Sequence, residues 1–217
     1  MRKLGILALM AVGLSLAGCD SASIGRAAVD APTLNAGPPG LAERALAKLP
    51  GAEPLPAMHW DGQGSSAEWT AATLAALDAE GAVLMSRVPS DVMEFCPGYA
   101  RQTPENRRAF WAGLLSVVAR HESRHNPAAQ GGGGRNLGLM QISTATARNF
   151  GCGGSMLDVR ANMACAVRIA ARQVGQDNAI ARAGGGWRGV ARDWVPLRNA
   201  STRAEIAGWT SRQSYCR

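Results

Sequence analysis

The sequence is short of several things that would announce a function. It has only three histidines, and none of its five cysteines forms a Cys-x-x-Cys pair, which argues against a cysteine metal site. Its run of four glycines, Gly131 to Gly134, is not followed by Gly-Lys-Ser/Thr, so a phosphate-binding P-loop is excluded. No concentrated run of lysine and arginine interleaved with aromatics argues for nucleic acid. Strict two-residue alternation is nowhere long enough for a convincing sheet, and there is no internal repeat. What remains is a mainly helical chain of 217 residues, enough for one domain plus a tail.

The N-terminus reads as an export signal. Arg2 and Lys3 precede an apolar run from Leu4 to Leu16, too short to span a bilayer. Leu16-Ala17-Gly18-Cys19 resembles a bacterial lipobox, in which Cys19 becomes a lipidated N-terminus that anchors the chain to a membrane. Loss of residues 1–18 leaves 21 basic and 16 acidic side chains, a net +5 that suits an anionic envelope without specifying a partner. Four cysteines then remain, an even number in an exported chain, with three possible connectivities. The expected pairs are Cys152–Cys165, closing a short loop beside Gly138–Ser143, and Cys96–Cys216, tying the C-terminus to the entry of a central helix. Each would add about 2–4 kcal/mol.

The most informative stretch runs from Trp111 to Ser143. Trp111, Leu114, Leu115 and Val118 recur at helical spacing, and the same stripe continues to Glu122. A carboxyl in an apolar stripe is costly when charged, and burial raises its pKa toward that of a general acid at neutral pH. On periodicity alone Glu122 is either such an acid or a group at a fraying helix end before Pro127 that reaches water.

The neighbouring residues carry a resemblance. Glu122-Ser123, Asn126-Pro127, Ala129, the glycine-rich turn, Gly138-Leu139-Met140-Gln141-Ile142-Ser143, Leu157-Asp158 and Asn162-Met163 resemble, in order and separation, the signature of the lytic transglycosylases. The resemblance covers about Phe110 to Ala171. It implies a mainly α, lysozyme-like fold of the goose-type lysozyme or SLT kind, with little or no β structure. It also implies peptidoglycan glycan strands as substrate, no cofactor, and Glu122 as the single acid/base. The implied cut is at the β-1,4 bond between N-acetylmuramic acid and N-acetylglucosamine, giving a 1,6-anhydro product. Ser123, Met140, Gln141 and Asn162 are the implied substrate-side residues; Asn162 either bonds substrate or braces the neighbouring loop. The family's Ala-Tyr-Asn-Ala-Gly stretch is missing, and Gly184 to Trp194 stands in its place. Trp194 is taken as the substrate-side aromatic, with Trp187 as the other choice; both also suit a core. A hydrolytic muramidase on the same fold and a non-catalytic glycan-binding lipoprotein are the competing readings.

His121 to His125 also spell H-E-x-x-H, the zinc-protease pattern. A catalytic zinc needs a third protein ligand, and the only other histidine, His59, lies far upstream in a linker-like stretch. Pro127 stops the helix just beyond His125, and Asp158 is a ligand in principle only. No metal is expected, and both histidines are read as solvated or cleft imidazoles.

Along the chain, residues 1–18 form the signal, 19–64 a tether in which Leu41 to Leu49 suits a turn or two of helix, and 65–217 the domain. Ser65-x-x-Glu68 and Thr202-x-x-Glu205 read as capping boxes, with Trp69 as core, Gly81 as a helix stop and Ile206 and Trp209 on a terminal helix. Ser90 to Phe95 suits a short helix, Thr103-Pro104 opens the long one, and Asp158 caps another. The location implied is the bacterial cell envelope, facing the periplasm.

Overall fold

The computed structural model describes residues 54–217. The expected signal, Cys19 and most of the expected tether, with its Leu41–Leu49 turn, lie outside the described residues. The domain begins earlier than the sequence suggests. Met58 and Trp60 are buried, Trp60 Nε1 donates to Thr70 Oγ1 (2.8 Å), and Tyr215 OH donates to Ala57 O (3.1 Å). A tether boundary at 64 is therefore corrected to before Met58. An indole and its hydrogen bond bring this segment into the core, and neither leaves a periodic mark in so short a run.

Helix α1 (Ser66–Glu80) buries Trp69, Leu74 and Leu77 and stops at Gly81, whose N–H reaches Leu77 O. Its expected capping box does not form: the Ser65 side chain makes no cap bond, and the Ser65 carbonyl accepts from Glu68 N and Trp69 N instead. Short helices α2 (Ala82–Ser86) and α3 (Val92–Phe95) lead to α4 (Pro104–Ser123). Thr103 caps α4 by accepting from Asn106 N, and Pro104 occupies the first turn, where its missing N–H costs nothing. The predicted stripe is buried, but so is every residue from Ala109 to Ala119. A helix apolar all round is a central helix.

Beyond α4 the chain makes two-residue strands β1 (Gln130–Gly131), β2 (Asn136–Leu137) and β3 (Ile142–Ser143), antiparallel in that order. Helix α5 (Thr144–Asn149) follows, and then α6 (Val159–Asp177). Asp158 caps α6 by accepting from Ala161 N (2.8 Å), and Met163, Val167, Ala170, Ala171 and Val174 face inward against α1 and α2. Strands β4 (Arg182–Ala183) and β5 (Gly186–Trp187) form a hairpin, and α7 (Ala200–Thr210) packs on α4. The cap of α7 is Asn199, whose Oδ1 accepts from Ser201 N and Thr202 N, so the helix starts before the expected Thr202 box. The architecture is the mainly helical, lysozyme-like one, with β structure among the described residues confined to these short strands.

Two disulfides join distant parts. Cys96–Cys216 (Cα–Cα 4.8 Å) ties the C-terminus to the segment entering α4, and Cys152–Cys165 (Cα–Cα 5.4 Å) ties α6 to the chain after α5. These are the pairs expected from the sequence. The Asp91 carboxylate accepts the N–H groups of Ile180, Ala181 and Arg182 (2.7, 2.7 and 2.8 Å), fixing the entry to β4.

Candidate active site

Glu122 stands in the last turn of α4, where the buried helix reaches a cavity of about 210 Å³. Met140, Gln141, Asp193 and Trp194 line the same cavity, with Asn136, Ile142, Ser143, Thr146, Ile169 and Val195. Burial alone pushes the Glu122 carboxyl up from 4.5 to about 7. The desolvated reading of Glu122 is thus the one its surroundings support.

The backbone after Glu122 is unusual. Arg124 and His125, both non-glycine, lie at φ 55° and 61°, a conformation L-residues adopt sparingly. The Arg124 N–H bonds back to Arg120 O (3.1 Å), and His125 Nε2 sits 3.0 Å from Ser116 O. These contacts end the helix at Ser123, two residues before the second histidine of H-E-S-R-H. His125 is therefore off the helix, and the one-faced pair that a zinc protease needs does not form.

The opposite wall is a braced loop. Asn162 is buried on α6; its Oδ1 accepts from Met140 N (3.0 Å) and its Nδ2 donates to Leu137 O (3.0 Å) and Met156 O (2.9 Å). Gly138 lies at φ 73°, and a Cβ there would run into Met156 O and, at 2.6 Å, Asn162 Nδ2. Met140 O accepts from Trp194 Nε1 (3.0 Å), so Met140 is held through both its N–H and its C=O. Trp194 is at once core and cavity wall.

Three expected substrate-side residues are recast by this geometry. Asn162 is the brace of the loop, with both amide protons given to carbonyls. Gln141 lines the cavity, but its Nε2 donates to Ala129 O (3.2 Å) and Gly138 O (2.8 Å) and its Oε1 accepts from Gly131 N (3.0 Å). Both of its donors are spent on the loop. Ser123 is buried, donates to Ala119 O (3.2 Å) and does not line the cavity. Trp187 is also absent from the cavity; it is partly exposed on β5, with the guanidinium groups of Arg182 and Arg203 at 5.9 and 5.7 Å from its ring.

Asp193 was not anticipated. It follows a 3-10 turn (Gly189–Arg192), accepts from Gln173 Nε2 (2.7 Å), and is pushed up by burial against the opposing hydrogen bond and the nearby Arg198 and Arg192. Its signal was its place directly before Trp194, inside the stretch that departs from the family pattern. Gly189 opens that turn at φ 54°, where a Cβ would strike Ala179 O.

A family model described as Transglycosylase SLT domain matches residues 100–183. Solved structures of DslA (Bd0314) are similar. The wild-type form is 30% identical over 76% of this chain and 100% of that one, with TM-score 0.68. Two glutamate-to-glutamine mutants of the same protein give 30% and 29% identity, the same coverage, and TM-scores 0.69 and 0.67. The chain belongs to the SLT transglycosylase family. No curated protein matches it. The SLT match ends at Ala183, one residue before the glycine stretch that replaces the family's tyrosine segment, so Asp193 and Trp194 lie beyond it.

Two outcomes are expected. Asn162→Ala orphans Met140 N, Leu137 O and Met156 O together, and urea unfolding should show a loss of about 2–4 kcal/mol. For Glu122, the folded value of about 7 lies above 4.5, so the folded chain keeps a proton the unfolded chain has released. Its stabilising contribution is full below about 4.5 and lost as pH rises through about 7. Glu122→Gln should therefore melt above the parent at pH 8, with the difference vanishing near pH 4. Equal melting at both pH values would count against a desolvated Glu122.

Proposed function

We propose that the protein is a lytic transglycosylase that cuts the β-1,4 bond between N-acetylmuramic acid and N-acetylglucosamine, with Glu122 as its single acid and base. The observation that carries this reading is a carboxyl held near neutrality by burial, on the cavity of an SLT-family domain. The protonated Glu122 gives its proton to the glycosidic oxygen as the bond to the anomeric carbon breaks. The resulting carboxylate then takes the proton of the muramic acid 6-hydroxyl, whose oxygen closes onto the same anomeric carbon. The proton count balances, and the product is a 1,6-anhydro sugar. Attack from within the same sugar needs orientation and no second enzymic nucleophile. Trp194 and Met140 supply the apolar wall against which the sugar lies.

Asp193 favours a second reading. It is a carboxyl on the same cavity as Glu122, and an acid paired with a base that activates water is the hydrolytic arrangement. On that reading the protein is a muramidase. The envelope location belongs to the same proposal, supported by Leu16-Ala17-Gly18-Cys19: lipidation at Cys19 would hold the domain at a membrane, facing the periplasm. A Cys19→Ser chain that still fractionates with membranes would remove that part.

Mass spectrometry of muropeptides released from purified peptidoglycan separates the two reactions. Anhydro products, lighter by one water than reducing-end products, are expected, and Glu122→Gln should release none. Reducing-end products lost in Asp193→Asn would establish the muramidase reading instead.

A further inference from the structure

The run Gly131 to Gly134 spans the end of β1 and the turn into β2. Gly132, Gly133 and Gly134 lie at φ 59°, 69° and 83°, which accounts for glycine in the turn itself. Gly131 has no such angle, and its reason lies in what a side chain would displace. A Cβ on Gly131 would overlap Gln141 Oε1 and sit 3.9 Å from Asn136 Cβ, and one on Gly132 would come within 3.2 Å of Asn136 Nδ2. These two glycines leave room for two carboxamides, those of Gln141 and Asn136, and both residues line the Glu122 cavity.

The two amides differ in what they are bonded to. Gln141 spends both donors on Ala129 O and Gly138 O, and its Oε1 accepts from Gly131 N. Asn136 has no side-chain hydrogen bond among the described residues. Asparagine is poorly suited to strands, so neither propensity nor a structural bond explains its place on β2. Its direction follows from the pleat. Leu137 packs on the core, so Asn136 faces the other way, opposite Ser143 on β3, which also lines the cavity. The Ser143 and Thr146 hydroxyls are bonded to each other at 2.9 Å. Asn136 is thus the carboxamide on this cavity whose donors and carbonyl oxygen are all free among the described residues.

We propose that Asn136 is the specificity-determining residue of the Glu122 cavity, hydrogen-bonding the 2-acetamido group of a sugar seated there. The proposal rests on the transglycosylase reading and moves to β2 the polar recognition that the family resemblance places on Gln141 and Asn162. An acetamido group carries an N–H, a carbonyl and a methyl. A carboxamide can donate to that carbonyl or accept from that N–H, and Ile142 and Val195 on the same lining give the methyl an apolar contact. A free 2-amino group offers neither carbonyl nor methyl. A site that bonds a substrate group discriminates against the analogue lacking it, because its own polar atom is then left unpaired. Asn136 therefore acts on which sugar is accepted, and Glu122 on what happens to it.

The test uses the full-length chain carrying Glu122→Gln, to exclude turnover, and isothermal titration calorimetry. The probes are the β-1,4 tetramer of N-acetylglucosamine and the corresponding tetramer of glucosamine. The N-acetylated tetramer should bind, and adding Asn136→Ala or Asn136→Leu should weaken it on the order of tenfold, the worth of one hydrogen bond. The glucosamine tetramer should bind more weakly, and equally with and without those substitutions. Leucine keeps the volume, so a loss common to both substitutions is the loss of the hydrogen bond. Melting temperatures should not move, because the Asn136 amide bonds nothing in the fold. Unchanged affinity, equal weakening for both tetramers, or no binding of the N-acetylated tetramer overturns the proposal. Turnover is read separately on the chain with Glu122 intact. Anhydro products there, with tetramer binding indifferent to Asn136, remove this inference and leave the proposed reaction standing; selective loss of binding with no anhydro products does the opposite.

Discussion

The candidate site depends on one carboxyl largely withdrawn from water. Glu122 is the last charged position of a helix whose preceding turns, Ala109 to Ala119, are buried on every side. Charging a group there costs free energy, and the cost appears as a pKa near 7. Helix α7 and the C-terminal turn cover α4, Cys96–Cys216 ties that turn to the helix entry, and the Arg124–His125 backbone closes the helix immediately after Glu122. In the proposed reaction, that group would serve as proton donor and then as proton acceptor.

The facing wall depends on a chain of backbone contacts. Asn162 reaches from α6 to Met140, Leu137 and Met156, Trp194 reaches from the far side to Met140 O, and Gln141 ties its own loop to β1. Polar side chains that resemble substrate ligands in sequence are here used to hold shape. Besides them the cavity presents an apolar wall, two carboxyls, and the polar side chains of Asn136, Ser143 and Thr146. Catalysis of this kind asks for a fixed position more than for many contacts, and a wall built from hydrogen-bonded backbone provides that.

Local signals were legible where the physics was local. Thr103-Pro104 and Asp158 announced their helices because a cap needs only its own first turn, and Gly81 ended α1 where it stood. The stripe from Trp111 to Glu122 was readable because one helix carries it. The Ser65 and Thr202 boxes failed because their spacing matches a cap by chance; Asn199 starts α7 three residues before Thr202. Trp60, His59 and Asp193 were not readable for a different reason. Each owes its role to partners distant in sequence: Trp60 to Thr70 and the core, His59 to Ser116 and His125, and Asp193 to the cavity that Glu122 lines. The H-E-S-R-H motif shows the reverse error, since a pattern that presumes a continuous helix meets a helix that ends inside it.

The most direct measurement is the titration of the Glu122 side-chain carboxyl itself, followed by carbon-detected NMR with assignment by comparison with Glu122→Gln. The account predicts a midpoint of about 7, above every ordinary glutamate in the same spectrum. A midpoint near 4.5 would mean that the carboxyl is solvated and ionised at neutral pH, and the account of Glu122 as an acid made by burial would be wrong.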